Sequence, residues 1–505
     1  MSALRDLLEA HVARGSVPGA VSLTARGDRV EVEVAGSADI ERAIPMARDS
    51  IFRIASITKP ITAAAVMVLV DDGRLALDDA VDAWLPELAS PVVVRTPASP
   101  VDDVVPATRP ISVRDLLTGR TGYGFASDFA LPAVQSLFSV QTDGREVQLR
   151  PSPDEWLAAL SRIPLLYQPG EAWLYDTSSD LQGLLIGRVS GQSFPEFLSE
   201  RVLEPLGMVD TGFEVPAATR DRLTSYYRAD PAGGFQLADG PDWQWSHLPP
   251  FPAGAGGLAS TVDDWFRFAR MILGDGAVDG RRLLSPESVR QMTTNHLTAP
   301  QRDIGTLFLG GQGWGFGGSV DVETIDPWNV PGRYGWVGGT GTTAHITGVH
   351  RFGRHPAHAG RRDRHRPVRD HPRLLGAQRT HPITRIGALA SRGQSGARIA
   401  GTSWSRMSWM TTLTRANALA FCSKWCAQKA SGPPAVITST NARCPQLAHR
   451  SYAMSAAAGG ATVSIGTRSG ASSGRIGFMV SPVSGEQVAD HIGRNWPIFS
   501  EMIRG

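Results

Sequence analysis

No other stretch of this 505-residue chain restricts the fold as strongly as the segment from about Ile57 to Asp72, whose side chains are nearly all apolar. Its length predicts a helix, and a helix that is apolar around its whole circumference has to be buried on every side. Pro60 suits the first turn, because the N–H that proline lacks has no partner within the helix there. Gly73 ends the helix. We therefore expect a core that is built around this segment.

The same segment opens with Ser56 and Lys59, an S-x-x-K arrangement. At the start of a helix, residues i and i+3 lie on one face, so the hydroxyl and the amine are expected to be neighbours. Unpaired N–H groups at a helix N-terminus favour negative charge and disfavour a cation, which suits a serine nucleophile assisted by a partly desolvated lysine. The alternative is a serine that caps the helix beside a solvated lysine.

Lysine usage favours the chemical interpretation. Apart from Lys59, lysine occurs only as Lys424 and Lys429, and the other permanently charged basic residues are arginines. Arginine cannot replace lysine as a proton acceptor, because its guanidinium stays protonated at any working pH. A single lysine in the first 423 residues, one helical turn from a serine, therefore predicts a site of covalent catalysis.

Composition and charge limit the class of protein. Apolar residues make up 42% of the chain, which is ordinary for a soluble enzyme, and the net charge of +2 gives no reason to expect nucleic acid. The N-terminal segment has the pattern of an amphipathic helix rather than a signal peptide, and no apolar run is long enough to span a membrane, so we predict a cytoplasmic protein without a membrane partner. Cys422, Cys426 and Cys444 form neither a disulfide framework nor a zinc pattern, so no metal and no other cofactor is expected.

The order of the predicted elements indicates the fold class. Strand patterns occupy about residues 15–55, helical patterns about 57–300, and strand-like segments return at about 305–346, beginning with Thr306–Leu309. We predict an α+β domain, an α/β sandwich over residues 1–346, in which both ends of the domain form one antiparallel sheet flanked by helices and an all-helical region is inserted between them. Candidate N-caps for the inserted helices are Ser152, Thr261 and Ser285.

The sequence changes character near Thr347. Arginine and histidine are dense up to about residue 381 without helical or strand periodicity, and acidic residues nearly vanish beyond it. A basic arm for nucleic acid or a histidine tract for metal are two interpretations, although the tract lacks supporting carboxylates. We favour a third, in which residues 347–505 are an irregular, unrelated tail read in a shifted frame of a GC-rich gene. Gly470–Gly474 in this tail fits G-x-S-x-G, but the surrounding glycine and serine favour chance over a nucleophile elbow.

Three separated segments carry the chemical motifs of the first 346 residues. They are Ser56-Ile57-Thr58-Lys59, Tyr175-Asp176-Thr177 and Gly335-Trp336-Val337-Gly338-Gly339-Thr340-Gly341. Together these segments resemble the serine β-lactamase and penicillin-binding-protein superfamily, and within it class C β-lactamases and family VIII carboxylesterases. The resemblance covers about residues 4–346.

The resemblance implies a role for each matching residue. Ser56 is implied to be the acylated nucleophile, Lys59 to help activate it, and Tyr175 to be the second proton-transfer group, held partly as phenolate by the nearby ammonium. The backbone N–H groups of Ser56 and Gly339, beside Gly338, are implied to form the oxyanion hole, where one donor is typically worth about 3 kcal/mol. Taken alone, Tyr175 would be assigned to the packed core.

Two positions depart from the family pattern. The second motif usually ends in asparagine, which serves amide substrates, and here it ends in Thr177; the third usually begins with a lysine or histidine that meets a substrate carboxylate, and here it begins with Trp336. Tryptophan supplies no cation, although Arg333 offers a partial substitute. β-Lactams and peptidoglycan stems carry a carboxylate, whereas simple esters do not. We therefore predict a serine hydrolase that acts on a small-molecule ester or amide, most simply a carboxylesterase.

Three alternatives stay open on the sequence. One is a β-lactamase or D-amino-acid peptidase on the same fold, and another is a non-catalytic penicillin-binding-like module, because two motifs are altered. The third is an inactive product, because the family closes its sheet with a strand and a C-terminal helix that are not recognisable after Ile346. In that case the apolar face of the N-terminal helix, which contains Leu4 and Leu8, would be exposed. The sequence carries no signal for an oligomeric state.

Resequencing the gene across codon 347 tests the shifted-frame hypothesis. We expect an insertion or deletion near this codon, because aperiodic Arg, His and Pro are what GC-rich codons encode out of frame. A continuous frame, together with the same tail in related proteins, would contradict the hypothesis.

Overall fold

The computed structural model describes residues 3–230, 233–348, 383–389, 453–455, 462–465 and 478–479. The chain divides into two units, Met1–Gly393 with Gly505 and Gln394–Arg504, which are described separately. The histidine-rich tract from residue 350 to residue 381, the three cysteines and the Gly470–Gly474 motif lie outside the described residues. The division at residue 346 and the shifted frame beyond it stay predictions.

The helices of the first unit lie mostly between its strands. They are α1 (Ala3–Ala13), α2 (Lys59–Asp71), α3 (Val113–Thr118), α4 (Pro132–Leu137), α5 (Pro153–Leu160), α6 (Thr177–Ser190), α7 (Phe194–Leu198), α8 (Glu204–Leu206), α9 (Val262–Leu273), α10 (Pro286–Thr293), α11 (Ala299–Ile304) and α12 (Thr306–Leu309). Ser152, Thr261 and Ser285 cap α5, α9 and α10 as predicted, each side chain accepting a hydrogen bond from the backbone N–H of the third helical residue.

The strands of the first unit come from both ends of its sequence and from short ribbons between them. They are β1 (Gly19–Arg26), β2 (Arg29–Asp39), β3 (Ile44–Pro45), β4 (Phe52–Arg53), β5 (Val92–Val94), β6 (Val104–Pro106), β7 (Tyr226–Ala229), β8 (Phe235–Asp239), β9 (Ala259–Ser260), β10 (Ala277–Val278), β11 (Arg281–Arg282), β12 (Gly313–Trp314), β13 (Ser319–Val320), β14 (Tyr334–Gly338), β15 (Thr342–Ile346) and β16 (Ile383–Leu389). In the second unit, β17 (Ala453–Ser455), β18 (Thr462–Ile465) and β19 (Phe478–Met479) pair antiparallel.

One antiparallel sheet joins the two ends of the first unit in the order β12-β13-β14-β15-β16-β1-β2-β3. The β1–β2 hairpin pairs Gly19 with Gly36, and the β14–β15 hairpin pairs Tyr334 with Ile346. Helix α1 packs on β2, while α9 contacts β1, β15 and β16. This architecture confirms the predicted α+β class.

Helix α2 forms the centre of the core, as its composition predicts. Every residue from Lys59 to Leu69 is buried. The helix packs against α6 and α10, and the hydroxyl of Thr62 donates a 2.8 Å hydrogen bond to the carbonyl of Gly254. A helix without a polar face is covered on all sides here, and its few polar groups are bonded to neighbouring segments.

Three local predictions differ from the structure. Thr306–Leu309 is the short helix α12 instead of a strand, because a threonine and three apolar residues between Gly305 and Gly310 satisfy either geometry, and Gly310 supplies a left-handed C-cap at φ 55°. The inserted region is not all helical, since β5–β6 and β7–β8 form two-stranded ribbons within it. The strand before Ser56, β4, pairs with β9 and not with the main sheet.

The strand β16 completes the sheet after Ile346, where the sequence showed no recognisable strand. Its backbone pairs antiparallel with β1, Ala20 opposite Leu389, and with β15, Ile346 opposite Thr384. The neighbouring sequence is aperiodic, so the pairing arises from the two strand edges that β1 and β15 present to it. Because strand propensity depends on the neighbouring strands, this strand is not recognisable from its own composition.

Substituting the centre of α2 tests its place in the core. We expect Ile61→Ala to lower the free energy of unfolding by about 2–5 kcal/mol, because the Ile61 side chain is 0% exposed and its removal leaves a cavity in the core. Denaturant unfolding followed by circular dichroism measures this change. Ile325→Ala is the matched control, and it should change stability by less than about 0.5 kcal/mol because that side chain is 52% exposed. Equal losses in the two variants would contradict a buried α2.

Candidate active site

The backbone places Ser56 at the entrance to α2. Strand β4 ends at Arg53, and a 3₁₀ turn over Ala55–Thr58 leads directly into the helix at Lys59. Ala55 has φ 45°, a left-handed conformation that costs a non-glycine residue on the order of 1–3 kcal/mol and persists only where the surroundings enforce it. The turn thereby exposes part of Ser56 while Lys59 is buried.

The three predicted catalytic side chains meet in the structure. Lys59 Nζ lies 3.1 Å from Ser56 Oγ, and the Tyr175 hydroxyl donates to Ser56 Oγ at 2.8 Å. Lys59 Nζ and the Tyr175 oxygen are 3.5 Å apart. The predicted site residue Trp336 joins them, because its indole N–H donates to the Tyr175 oxygen at 3.1 Å. The tyrosine oxygen thus faces two donors and the nucleophile.

An acidic residue that the sequence analysis did not assign, Asp176, is the strongest partner of the lysine. Lys59 Nζ lies 2.7 Å from Asp176 Oδ1 and donates a second 2.7 Å hydrogen bond to the carbonyl of Ala255. Burial by itself lowers the pKa of Lys59, but the charges of Asp176 and Tyr175 outweigh burial, so the lysine pKa lies above its ordinary value. The lysine is desolvated, as predicted, and it is paired with a carboxylate.

Asp176 adopts an unusual backbone conformation. Its φ and ψ are 81° and −69°, and the N–H of Thr177 bonds the carbonyl of Tyr175 at 3.2 Å, which makes a γ-turn. The turn is clamped from one side by two hydrogen bonds between the backbones of Phe125 and Tyr175. Helix α6 starts immediately after Asp176, so this turn sets the direction of the chain between Tyr175 and the helix.

A buried polar network supports the back of the site. The Gln141 amide N–H₂ donates to Asp176 Oδ2 at 3.0 Å and to Asp180 Oδ2 at 3.1 Å. Arg150 pairs with Asp180 at 2.9 Å. The hydroxyl of the predicted site residue Thr177 donates to Gln141 at 3.3 Å, so the structure places it in this network. Its predicted role in substrate binding stays a prediction.

The glycine-rich third motif is fastened to the backbone that precedes the nucleophile. The Thr340 hydroxyl donates to the carbonyl of Arg53 at 2.5 Å, and the Thr342 hydroxyl donates to the carbonyl of Ile54 at 2.7 Å. These two bonds hold the β14–β15 turn against the residues just before Ser56. The spatial relation between the first and third motifs therefore depends on threonine side chains.

Neighbouring atoms lie so close to Gly338, the first of the two glycines in this turn, that no side chain fits there. A Cβ on Gly338 would lie 2.1 Å from Thr342 Oγ1 and 2.5 Å from the carbonyl oxygen of Ile54, whereas Gly339 has open space around it. Gly339 is exposed and Ser56 is half-buried. An oxyanion hole formed by the N–H groups of Gly339 and Ser56 stays a prediction.

The third motif offers an aromatic side chain in place of a cation. Arg333 is engaged by Asp321 through contacts of 2.8 and 3.2 Å and is only 9% exposed, so the prediction that it substitutes for the missing cation is wrong. Trp336 is buried and packs edge-on against Trp314 at 4.8 Å.

Among the described residues, no group of three or more His, Cys, Asp or Glu is placed to hold a metal ion. Nor does any helix in the described ranges combine the length and apolar character needed to cross a bilayer.

The antiparallel sheet, the buried helix and the S-x-x-K site together define a protein of the serine β-lactamase and penicillin-binding-protein superfamily, as the motifs predicted. A model of the Beta-lactamase family matches residues 4–353, and the chain belongs to this family.

Individual relatives agree with this assignment. Protein Rv1367c of Mycobacterium tuberculosis is 39% identical over 353 residues, which are 68% of this chain and 84% of that protein. Lovastatin esterase of Penicillium rubens is 30% identical over 318 residues, 58% of this chain and 76% of the esterase. Among solved structures, EstCE1, described as a hydrolase with promiscuous acyltransferase activity, superposes with a TM-score of 0.58 at 22% identity, covering 77% of this chain and 92% of EstCE1. At that identity the likeness shows the fold alone.

Gly338→Ala tests the close approach of the third motif. The added Cβ has to displace the carbonyl of Ile54 or the end of β14, so we expect the labelling rate of Ser56 by a fluorophosphonate to fall by about 10²-fold, as for a lost oxyanion donor. Gly144→Ala, which meets no atom within 4 Å, is the control that should label at the unchanged rate. Labelling of Gly338→Ala at the wild-type rate would contradict this placement.

Proposed function

We propose that the protein is a carboxylesterase that cleaves small esters through an acyl-enzyme on Ser56. One observation carries this proposal: Ser56 Oγ is within hydrogen-bond distance of both Lys59 Nζ, at 3.1 Å, and the Tyr175 hydroxyl, at 2.8 Å. A half-buried serine beside two proton-transfer groups is the arrangement that nucleophilic catalysis requires.

The geometry supports a two-step reaction. With Tyr175 as the phenolate beside the Lys59 ammonium, Ser56 Oγ attacks the ester carbonyl while its proton passes to the Tyr175 oxygen, and the negative charge that develops on the carbonyl oxygen faces the N–H groups of Ser56 and Gly339. Collapse of the tetrahedral intermediate breaks the ester C–O bond, and Tyr175 returns the proton to the departing alkoxide. In the second step water attacks the acyl group, with Tyr175 accepting its proton and passing it to Ser56 Oγ.

The walls of the site favour an uncharged, apolar acyl group. The Phe308 ring stacks on the Tyr175 ring at 4.4 Å, and the Trp336 indole lies on another side of the same tyrosine. Trp336 occupies the position in the third motif where the family usually has a cation that meets a substrate carboxylate. Arg333, two residues before this motif, is paired with Asp321. An ester without a carboxylate leaves no charge unpaired in such surroundings. The lovastatin esterase relative supports an ester substrate as well.

Substrate panels on the wild type and on Ser56→Ala test the proposed function. We expect hydrolysis of short-chain p-nitrophenyl esters, little turnover of a chromogenic cephalosporin, and a loss of at least about 10³-fold in ester hydrolysis for Ser56→Ala. Ser161→Ala is the matched control, because its hydroxyl bonds only the helix carbonyl of Ala158 and ester hydrolysis should be unchanged.

The remaining outcomes separate the alternatives. Rapid cephalosporin turnover with negligible ester hydrolysis would replace the esterase by a β-lactamase. Labelling of Ser56 by a fluorescent penicillin without turnover of any substrate would identify a non-catalytic binding module. Absence of a cooperative thermal transition would support the inactive product.

A further inference from the structure

We propose that Asp176 is a positioning residue that keeps Lys59 in its charged form, so that Tyr175 and not Lys59 accepts the proton of Ser56. This inference rests on the proposed function and assigns the proton-transfer roles within the same site. It depends on the contact between the Lys59 ammonium and the Asp176 carboxylate, 2.7 Å from Nζ to Oδ1.

The contacts of Lys59 define where its hydrogens point. Its two shortest contacts, each 2.7 Å, go to Asp176 Oδ1 and the carbonyl oxygen of Ala255, and both oxygens only accept hydrogen bonds. The remaining direction faces Ser56 Oγ at 3.1 Å and the Tyr175 oxygen at 3.5 Å. This count fits an ammonium that donates three N–H groups, and it also fits a neutral amine whose lone pair faces Ser56.

Charge decides between the two forms. The Lys59 side chain is 1% exposed and that of Asp176 is 24% exposed, so a neutral lysine would leave a largely desolvated carboxylate without a counter-charge. The other charged and titratable groups that face the lysine are Tyr175 and, behind Gln141, Asp180. Because Asp180 is paired with Arg150 at 2.9 Å, Asp176 is the carboxylate left to balance the ammonium.

The backbone of Asp176 is strained at the residue that makes this contact. A φ of 81° is rarely adopted by L-residues, and such a conformation persists only when its surroundings over-determine it. Gln141 holds the second carboxylate oxygen at 3.0 Å, and the γ-turn between Tyr175 and Thr177 fixes the direction of the side chain. Glycine would relieve the strain but would remove the carboxylate, so the residue type indicates that the charge is needed here.

The consequence for the chemistry is a division of roles. An ammonium with two N–H groups taken by Asp176 and Ala255 has its third directed at the Ser56 and Tyr175 oxygens, where a cation stabilises negative charge on either. The proton lost by Ser56 on attack then goes to the Tyr175 oxygen, which the Trp336 N–H also supports at 3.1 Å. Lys59 donates hydrogen bonds throughout and keeps its proton.

A direct measurement of the Lys59 charge tests this assignment without a substrate. The chain has only three lysines, so the ε-carbon NMR signals of ¹³C-lysine-labelled protein are few, and Lys59→Arg identifies the signal of interest. We expect Lys59 to stay an ammonium through neutral pH and to lose its proton only above the ordinary lysine range. In Asp176→Asn the loss should occur at lower pH, whereas the surface control Asp154→Asn should leave the Lys59 titration unchanged. A neutral Lys59 at pH 7 in the wild type would overturn the inference, whether or not an ester is hydrolysed.

Kinetics supply the second readout. The ammonium is present below the lysine pKa and is lost as the pH rises through it, so removing Asp176 should move the alkaline limb of Ser56 labelling by a fluorophosphonate to lower pH. We expect Asp176→Asn and Asp176→Gly to label roughly 10²-fold more slowly near neutral pH, with partial recovery in Asp176→Glu. Slow labelling in Asp176→Gly shows that the charge matters and not the strained turn. Labelling of Asp176→Asn at or above the wild-type rate near neutral pH would overturn the inference, because it would make Lys59 the base and Asp176 its restraint.

Discussion

The burial of one ammonium group is the interaction on which the rest of this structure depends. Removing a lysine from water costs several kcal/mol unless partners replace the lost hydration. Lys59 obtains them from Asp176 at the start of α6, from the Ala255 carbonyl in the loop before β9, and from Ser56 in the preceding 3₁₀ turn. The same contacts that make burial tolerable therefore bring the first two motifs and the loop before β9 together at the candidate site.

The sheet provides the remaining wall of the site and couples it to the ends of the domain. Strand β14 carries Trp336 to the Tyr175 hydroxyl, and the turn after it is held to the Arg53 and Ile54 carbonyls by threonine hydroxyls. Because β15 and β1 are joined through β16, the position of this turn depends on strands at both ends of the first unit. An aromatic and uncharged third motif on this frame agrees with an apolar ester as the substrate.

Prediction from the sequence succeeded where the signal is local. The apolar segment after Ser56 and the strands within about residues 15–55 follow from composition and periodicity, and the first and second motifs each hold their predicted site residues within a few positions of chain. It failed at Thr306–Leu309, where one threonine and three apolar residues suit a helix or a strand, and at β16, whose pairing depends on distant edges. Arg333 was misjudged because its partner Asp321 lies in a loop that carries no pattern.

The sequence by itself determined the proposed nucleophile and its lysine neighbour, because Ser56 and the single lysine of the first 423 residues lie one helical turn apart and the turn is local geometry. Only the tertiary structure decided which groups balance the charge of that lysine. Asp176 contacts the lysine from its γ-turn, and the amide of Gln141 holds Asp176; both residues lie more than eighty residues away from Lys59 along the chain. Proton affinity in a buried site depends on such charges within a few ångströms, and the order of residues in the chain does not encode that distance.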